Sequence, residues 1–154
     1  MKNYFEVKDV TFSSSKEHEL VNVNFYIKDQ GDIISILGPS GVGKTTILRA
    51  IAGLDKIKKG EIWLNKNIIS SENIFLEPEK REIALSFQEN TLFPHYNVLD
   101  NLKLGEKRKD NYNKISLDDC IEKFFLKEIL YKYPHEISSG EAQRASLTRS
   151  LLSN

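Results

Sequence analysis

Cysteine is nearly absent: Cys120 is the only one in 154 residues. That excludes a disulfide framework and a cysteine zinc cluster, and it points to a reducing, cytosolic setting. Long hydrophobic runs are missing too. The longest apolar run, IISIL at 33–37, has five residues, against the ~18 that suggest a membrane span. The opening MKNYFEVKDV holds no apolar signal region. Charge of one sign is not in excess, since Lys+Arg and Asp+Glu are both 22. A general nucleic-acid binder would usually be basic, so that class is disfavoured, while a small local anion site is not. No internal repeat or low-complexity linker occurs, and the length suits one domain able to bury a core.

What is present alternates. YFEVKDV (4–10) and VNVNFYI (21–27) carry the period-two pattern of half-buried strands, with the polar SSSKEHE between them. A GD turn at 31–32 leads into IISIL, whose continuous apolarity predicts a central strand covered on both faces. ILRAIAGLD follows, where Ile47, Ile51 and Leu54 form a helix stripe and Gly53 suits a terminator. GEIWLNKNI (60–68) reads as a strand with a polar tip, and REIALSF (81–87) as another. From Val98 to Leu130 the pattern turns helical, interrupted at GEKRKDNYNK. A last helix starts near Ser138, with Ala145, Leu147, Leu151 and Leu152 as its apolar side.

Between IISIL and the helix stands GPSGVGKT (38–45), which fits G-x-x-x-x-G-K-[ST]. In a chain this long the pattern arises by chance at roughly 1 % or less. A strand before and an amphipathic helix after are the context it requires. Gly38, Gly41 and Gly43 let the backbone turn with its N–H groups inward, around Pro39, Ser40 and Val42. Lys44 can reach the β- and γ-phosphates as a point charge, and the Thr45 hydroxyl can ligate Mg²⁺, with Thr46 a weaker candidate. The loop implies a nucleoside-triphosphate site. By itself it does not separate ATPases, GTPases and kinases.

The second half is more specific. REIALSFQENTLFPHYNVLDNL (81–102) resembles the Q-loop region of ATP-binding cassette (ABC) transporter nucleotide-binding domains. YPHEISSGEAQRASLTRSLL (133–152) resembles their signature region, L-S-G-G-Q, with its arginine-bearing helix. GEIWLNKNI is similar to the strand between the phosphate loop and the Q-loop. The motifs follow the family's order over essentially the whole chain, and LFPHYNVLDN with YPHEIS looks most like bacterial importer subunits.

The resemblance implies an α/β P-loop NTPase of the ABC ATPase type, with an N-terminal antiparallel β-subdomain and an α-helical subdomain. The corresponding division is 1–88, 89–137 and 138–154. It further implies ATP and Mg²⁺, with residues 38–46 wrapping the phosphates and Gln88 touching Mg²⁺ or the attacking water. Ser138, Ser139, Gly140 and Glu141 would face the ATP of a second, head-to-tail nucleotide-binding subunit. The implied partners are an integral membrane permease, docking near Leu92–Asn97 and the helical region, and indirectly a solute-binding protein; nucleic acid is not expected. The implied place is the cytoplasmic face of the inner membrane. Alternatives are a non-catalytic or truncated nucleotide-binding module, and a soluble ABC protein acting on nucleic acid or ribosomes.

Departures from the pattern set further expectations. The signature reads ISSGE. Ser139 replaces a glycine and costs about 1 kcal/mol or more if that position needs positive φ. Ser138-x-x-Glu141 is also a helix capping box, a bland reading that need not exclude a phosphate contact. The family's adenine-stacking aromatic falls at Ser14, and Phe12 nearby reads more readily as core. His18, His95 and His135 lack metal-ligand spacing and read as surface residues. Trp63 and Phe124–Phe125 read as core, and KRKD (107–110) as a solvated face. The apolar strand ending in Asp-Glu that follows the signature helix in the family does not occur in this sequence. The core is therefore expected to be incomplete at the C-terminus, and this chain alone to be inactive in hydrolysis.

Overall fold

A computed structural model describes residues 3–14, 18–87, 91–106 and 115–153; the side chains of 13, 14, 18 and 19 lie outside that description. Gln88, the KRKD run, and the side chains of Ser14 and His18 thus fall outside it. The chain forms two compact units, Met1–Ile83 and Ala84–Asn154.

In the first unit, β1 (Phe5–Ser14), β2 (His18–Ile27), β3 (Lys59–Leu64) and β4 (Asn67–Ser70) make an antiparallel sheet in the order β2-β1-β3-β4. Alternation puts Phe5 and Val7 on one face, and Val10 would break the pattern. The register of β1 shifts between Val7 and Val10, and Asp9 there has φ 48°. That bulge returns Val10 and Phe12 to the buried face, where both are fully enclosed. Asp9 is held by Asn24, which accepts from its N–H at 2.8 Å and donates to its carboxylate at 3.0 Å. Helix α1 (Lys44–Ala52) packs Ile47 and Ala50 into the same core. Its Arg49 pairs with Asp55 at 2.7 Å.

Several expectations need correction. GEIWLNKNI is two strands: Asn65 and Lys66, at φ 45° and 70°, turn it into the β3–β4 hairpin. IISIL forms no strand, and Ile33 and Leu37 are 92% and 89% exposed. REIALSF likewise runs without sheet pairing, although Ile36 and Ile83 touch the core. A continuously apolar strand needs hydrogen-bonded neighbours, and among the described residues neither run has one. Leu54 lies past the end of α1 and is exposed, so the helix's inner face is Ile47, Ala50 and Ile51. Trp63 points away from the Ile62–Leu64 face, half-buried, with its indole N–H donating to Glu61 at 3.0 Å.

In the second unit, α2 (Val98–Glu106), α3 (Leu117–Lys123) and α4 (Ser139–Leu152) surround Leu102, Leu126 and Leu152. The helices α2 and α4 approach so closely that a Cβ on Gly105 would lie 2.4 Å from the Arg149 carbonyl oxygen. The buried side of α4 is Ala142, Ala145, Ser146, Thr148 and Leu152, while Leu147 is exposed. Small residues face inward because the neighbouring backbone is near. Phe124 packs on this core, but Phe125 does not: it is 81% exposed at φ 54°.

Candidate functional site

Every helix start must find partners for its first N–H groups. For α2 they are the Lys132 and Leu130 carbonyls, at 3.0 and 2.8 Å, and the Asn97 side chain at 2.8 Å. For α3 the Ser116 hydroxyl accepts from Asp119, with Asp118 and Asp119 in the first turn. For α4 Ser138 and Glu141 form a complete capping box. Helix α1 differs. Its N-cap is Gly43, no side chain caps it, and its first turn holds no acidic residue. The positive end of that helix is left open to an external anion.

The loop before it is shaped for close approach. Gly41 and Gly43 have φ 83° and 101°. At Gly43 an added Cβ would also strike Leu20 of β2 at 2.6 Å, a contact no sequence pattern announced. Lys44 folds back on its own loop, its ammonium donating to the Gly38 and Pro39 carbonyls at 2.8 and 2.7 Å. A cation therefore sits inside the turn where phosphate oxygens would be neutralised. Gly38, Pro39, Ser40, Gly41 and Val42 are exposed, as is Thr45 at the first helical turn; Thr46 is half-buried. No group of three His, Cys, Asp or Glu among the described residues could hold a metal. Thr45 suits Mg²⁺ nonetheless, because that ion takes one or two protein oxygens and completes its shell with phosphate and water. Its hydroxyl makes no hydrogen bond among the described residues.

In the second unit Ser138, Ser139 and Gly140 are exposed at the start of α4. Glu141 accepts from the Ser138 N–H and hydroxyl, both at 2.7 Å, and Ser138 Oγ accepts from the Glu141 N–H at 3.4 Å. The cap is thus present. Ser139 is the first residue of α4 and has no positive φ, so the expected backbone cost does not arise. A Cβ at Gly140 would meet only Arg144, at 3.9 Å. Nothing within the described chain requires a glycine there.

The Ser138 hydroxyl, and then its N–H, hold the Glu141 carboxyl below its ordinary 4.5. A depressed value stabilises the fold above the unfolded pKa, and that contribution is lost as pH falls through the folded value. Glu141→Ala should therefore melt below the parent at pH 7, and the gap should shrink as pH falls below the ordinary carboxylate range. A gap that stays constant with pH would show that the ionised cap contributes nothing.

Phe12 is fully buried in β1, so it is core. His95 and His135 are exposed, as a surface reading expects. Sequence reasoning missed the polar cluster of the second unit. Asn101, 0% exposed, donates to the Phe93, Tyr96 and Asn97 carbonyls and accepts from Phe93 N–H at 2.8 Å. Arg149 of α4 donates to Asn101 at 3.3 Å and to the Thr91 carbonyl at 2.9 Å, with its guanidinium 5.0 Å from the Phe93 ring. A buried Asn in a polar helix stretch carries no periodic signal that could have announced it.

The family model described as ABC transporter matches residues 20–154. The chain belongs to the ABC transporter family. It is 36% identical over 151 residues to the Fe(3+) ions import ATP-binding protein FbpC 2 of Haemophilus influenzae, covering 96% of this chain and 42% of that protein. To the molybdenum import ATP-binding protein ModC of Haemophilus ducreyi it is 40% identical over 134 residues, covering 86% of this chain and 37% of that one. To the spermidine/putrescine import ATP-binding protein PotA of Nitrosomonas europaea it is 37% identical over 153 residues, covering 96% and 40%. The chain thus spans about two-fifths of these curated relatives. Among solved structures, the dimeric ATP-binding cassette MJ0796 bound to ADP and Pi superposes with a TM-score of 0.77 at 28% identity, covering 97% of this chain and 70% of that one. The fold of cbiO1 from Clostridium perfringens, part of the cbiONQ transporter complex, gives 0.77 at 22% identity, covering 99% and 62%. Among the described residues no helix is long and apolar enough to cross a membrane.

Proposed function

We propose that this chain is the ATP-binding part of an ABC importer subunit, coupling ATP binding and hydrolysis to solute uptake across the cytoplasmic membrane. The observation that carries this is the uncapped start of α1 behind a Gly-rich loop holding Lys44. The backbone of 38–46 binds and orients the triphosphate, and Lys44 exchanges its loop carbonyls for phosphate oxygens. Thr45 holds Mg²⁺, which supplies charge neutralisation at the phosphates when bound. Gln88 would touch Mg²⁺ or position the attacking water. Ser138, Ser139, Gly140 and Glu141 face the ATP of a second subunit in a head-to-tail pair, Ser138 leaving its cap to reach the γ-phosphate. The loop residues bring no general base of their own. The 154-residue chain alone should bind ATP but turn it over ~10²–10⁴-fold more slowly than a chain that includes one.

The subunit would act at the cytoplasmic face, on an integral membrane permease, with a solute-binding protein contributing indirectly. Iron, molybdenum and polyamines are named for its relatives, and an importer of such solutes is the class supported. The division 1–88, 89–137 and 138–154 remains the reading of its functional parts. The docking surface fits the segment Leu92–Asn97, where Phe93 and Tyr96 are 50% and 45% exposed and packed edge to face at 6.3 Å. Two aromatic rings held on a pinned loop offer apolar area at low entropic cost. Phe93→Asp should abolish co-purification with a co-expressed membrane permease subunit, while MgATP affinity is unchanged. Retained capture would remove this loop from the interface, and capture of ribosomes instead would favour the soluble alternative.

A further inference from the structure

Arg81 is 4% exposed, and among the described residues it pairs with no carboxylate. Its guanidinium donates to carbonyls instead: Ala50 at 2.9 Å, Ile51 at 2.8 Å and Leu76 at 2.7 Å, with the Ser70 hydroxyl at 2.8 Å. The Phe75 ring lies 5.2 Å away. Ala50 and Ile51 are in the last turn of α1, at the negative helix end, where the Gly53 N–H also donates to the Ala50 carbonyl at 3.1 Å. Gly53 makes room: it takes the left-handed cap at φ 83°, and a Cβ there would lie 2.6 Å from Arg81 Nε. Burial pulls the guanidinium below its ordinary value, and Glu77 partly offsets this. A cation kept dry at that cost is held for its geometry.

That contact lies at the far end of the helix that begins at the loop. The amino end of α1 carries the phosphate loop, and its nine residues put the carboxyl end roughly 14 Å away. Arg81 sits just before Ile83, where the first unit ends, on the segment that runs on toward Gln88. We infer that Arg81 is a positioning residue that ties the segment leading to Gln88 to the carboxyl end of the phosphate-loop helix. Displacement of α1 by a bound nucleotide is thereby passed to residues 82–87 through the guanidinium. This rests on the nucleotide site proposed above.

The test is the backbone amide NMR spectrum of the full chain titrated with MgADP. The parent should show shifts at 38–46 and also at 82–87. Arg81→Gln should keep the loop shifts, with affinity within about threefold, and lose the response at 82–87. Arg81→Lys keeps the charge but not the fork that reaches three carbonyls at once, so its response should be attenuated. That variant decides the matter if Arg81→Gln does not fold. An Arg81 variant that melts earlier yet keeps the full response at 82–87 shows a purely structural role and overturns the inference. Absence of parent shifts at 38–46 would instead sink the nucleotide site, and the inference with it.

Discussion

Replacing Lys44 by alanine should raise the dissociation constant for MgATP by about 10²-fold while leaving the fold intact. The ammonium is the one cation placed inside the turn of 38–45 among the described residues, held by the Gly38 and Pro39 carbonyls. In the nucleotide complex it makes charge-assisted contacts to phosphate, each worth about 1.5–3 kcal/mol. A net loss near 3 kcal/mol is about two decades in affinity. Its loop contacts are exposed, so water takes over the two carbonyls, and stability should change by no more than about 0.5 kcal/mol. Lys44→Arg should not rescue, because a planar fork cannot replace a compact point charge inside so tight a turn. Titration with a fluorescent ATP analogue, beside thermal melting, checks both halves. Unchanged binding in Lys44→Ala would mean the loop is not the nucleotide site.

Asn101→Leu should cost about 3–5 kcal/mol of stability, since it leaves several buried polar groups unpaired at once. Leucine keeps the branching at Cγ but is bulkier, so crowding at this fully buried site adds to the cost. What it lacks is hydrogen bonding: Phe93 N–H loses its acceptor at 2.8 Å, and the Phe93, Tyr96 and Asn97 carbonyls lose their donor at 3.0–3.1 Å. Arg149 loses a partner as well, so the tie between α4 and the segment 91–97 loosens. The expected picture in urea is a lower midpoint, with proteolysis near Phe93–Asn97 appearing first. A midpoint shift worth less than about 1 kcal/mol would show that water enters and satisfies these groups.

How much of this was legible beforehand varies by residue. The turn of 38–45 was readable because its residues act on their own neighbours: Gly43 turns the chain, Lys44 follows, and α1 starts there whatever packs around it. The capping box at Ser138 and Glu141 was readable for the same reason, as was Gly53 at the end of α1. Each is a local interaction, closed within a turn or two of chain. Hydrophobic pattern also located β1 and β2, but period two could not show the bulge at Asp9 that brings Val10 and Phe12 inward.

Tertiary structure decided the rest, because the partners are far apart in sequence. IISIL and REIALSF have strand-like composition, yet a strand exists only where another backbone pairs with it, and among the described residues neither is paired. Phe125 has the composition of core but lies at a helix end in left-handed backbone, turned to solvent. The sequence by itself determined the Gly-rich turn of 38–45, the helix that follows it and the family, since those depend on spacing along the chain. Only the tertiary structure decided that Arg81 would close the far end of that helix and that Asn101 and Arg149 would pin the segment 91–97. Arg81 reaches carbonyls 31 and 30 positions away and Arg149 one 58 away, whereas Asn101 bonds within eight positions of itself but only once the loop 93–97 has folded over it; no spacing rule brings a guanidinium to so distant a carbonyl.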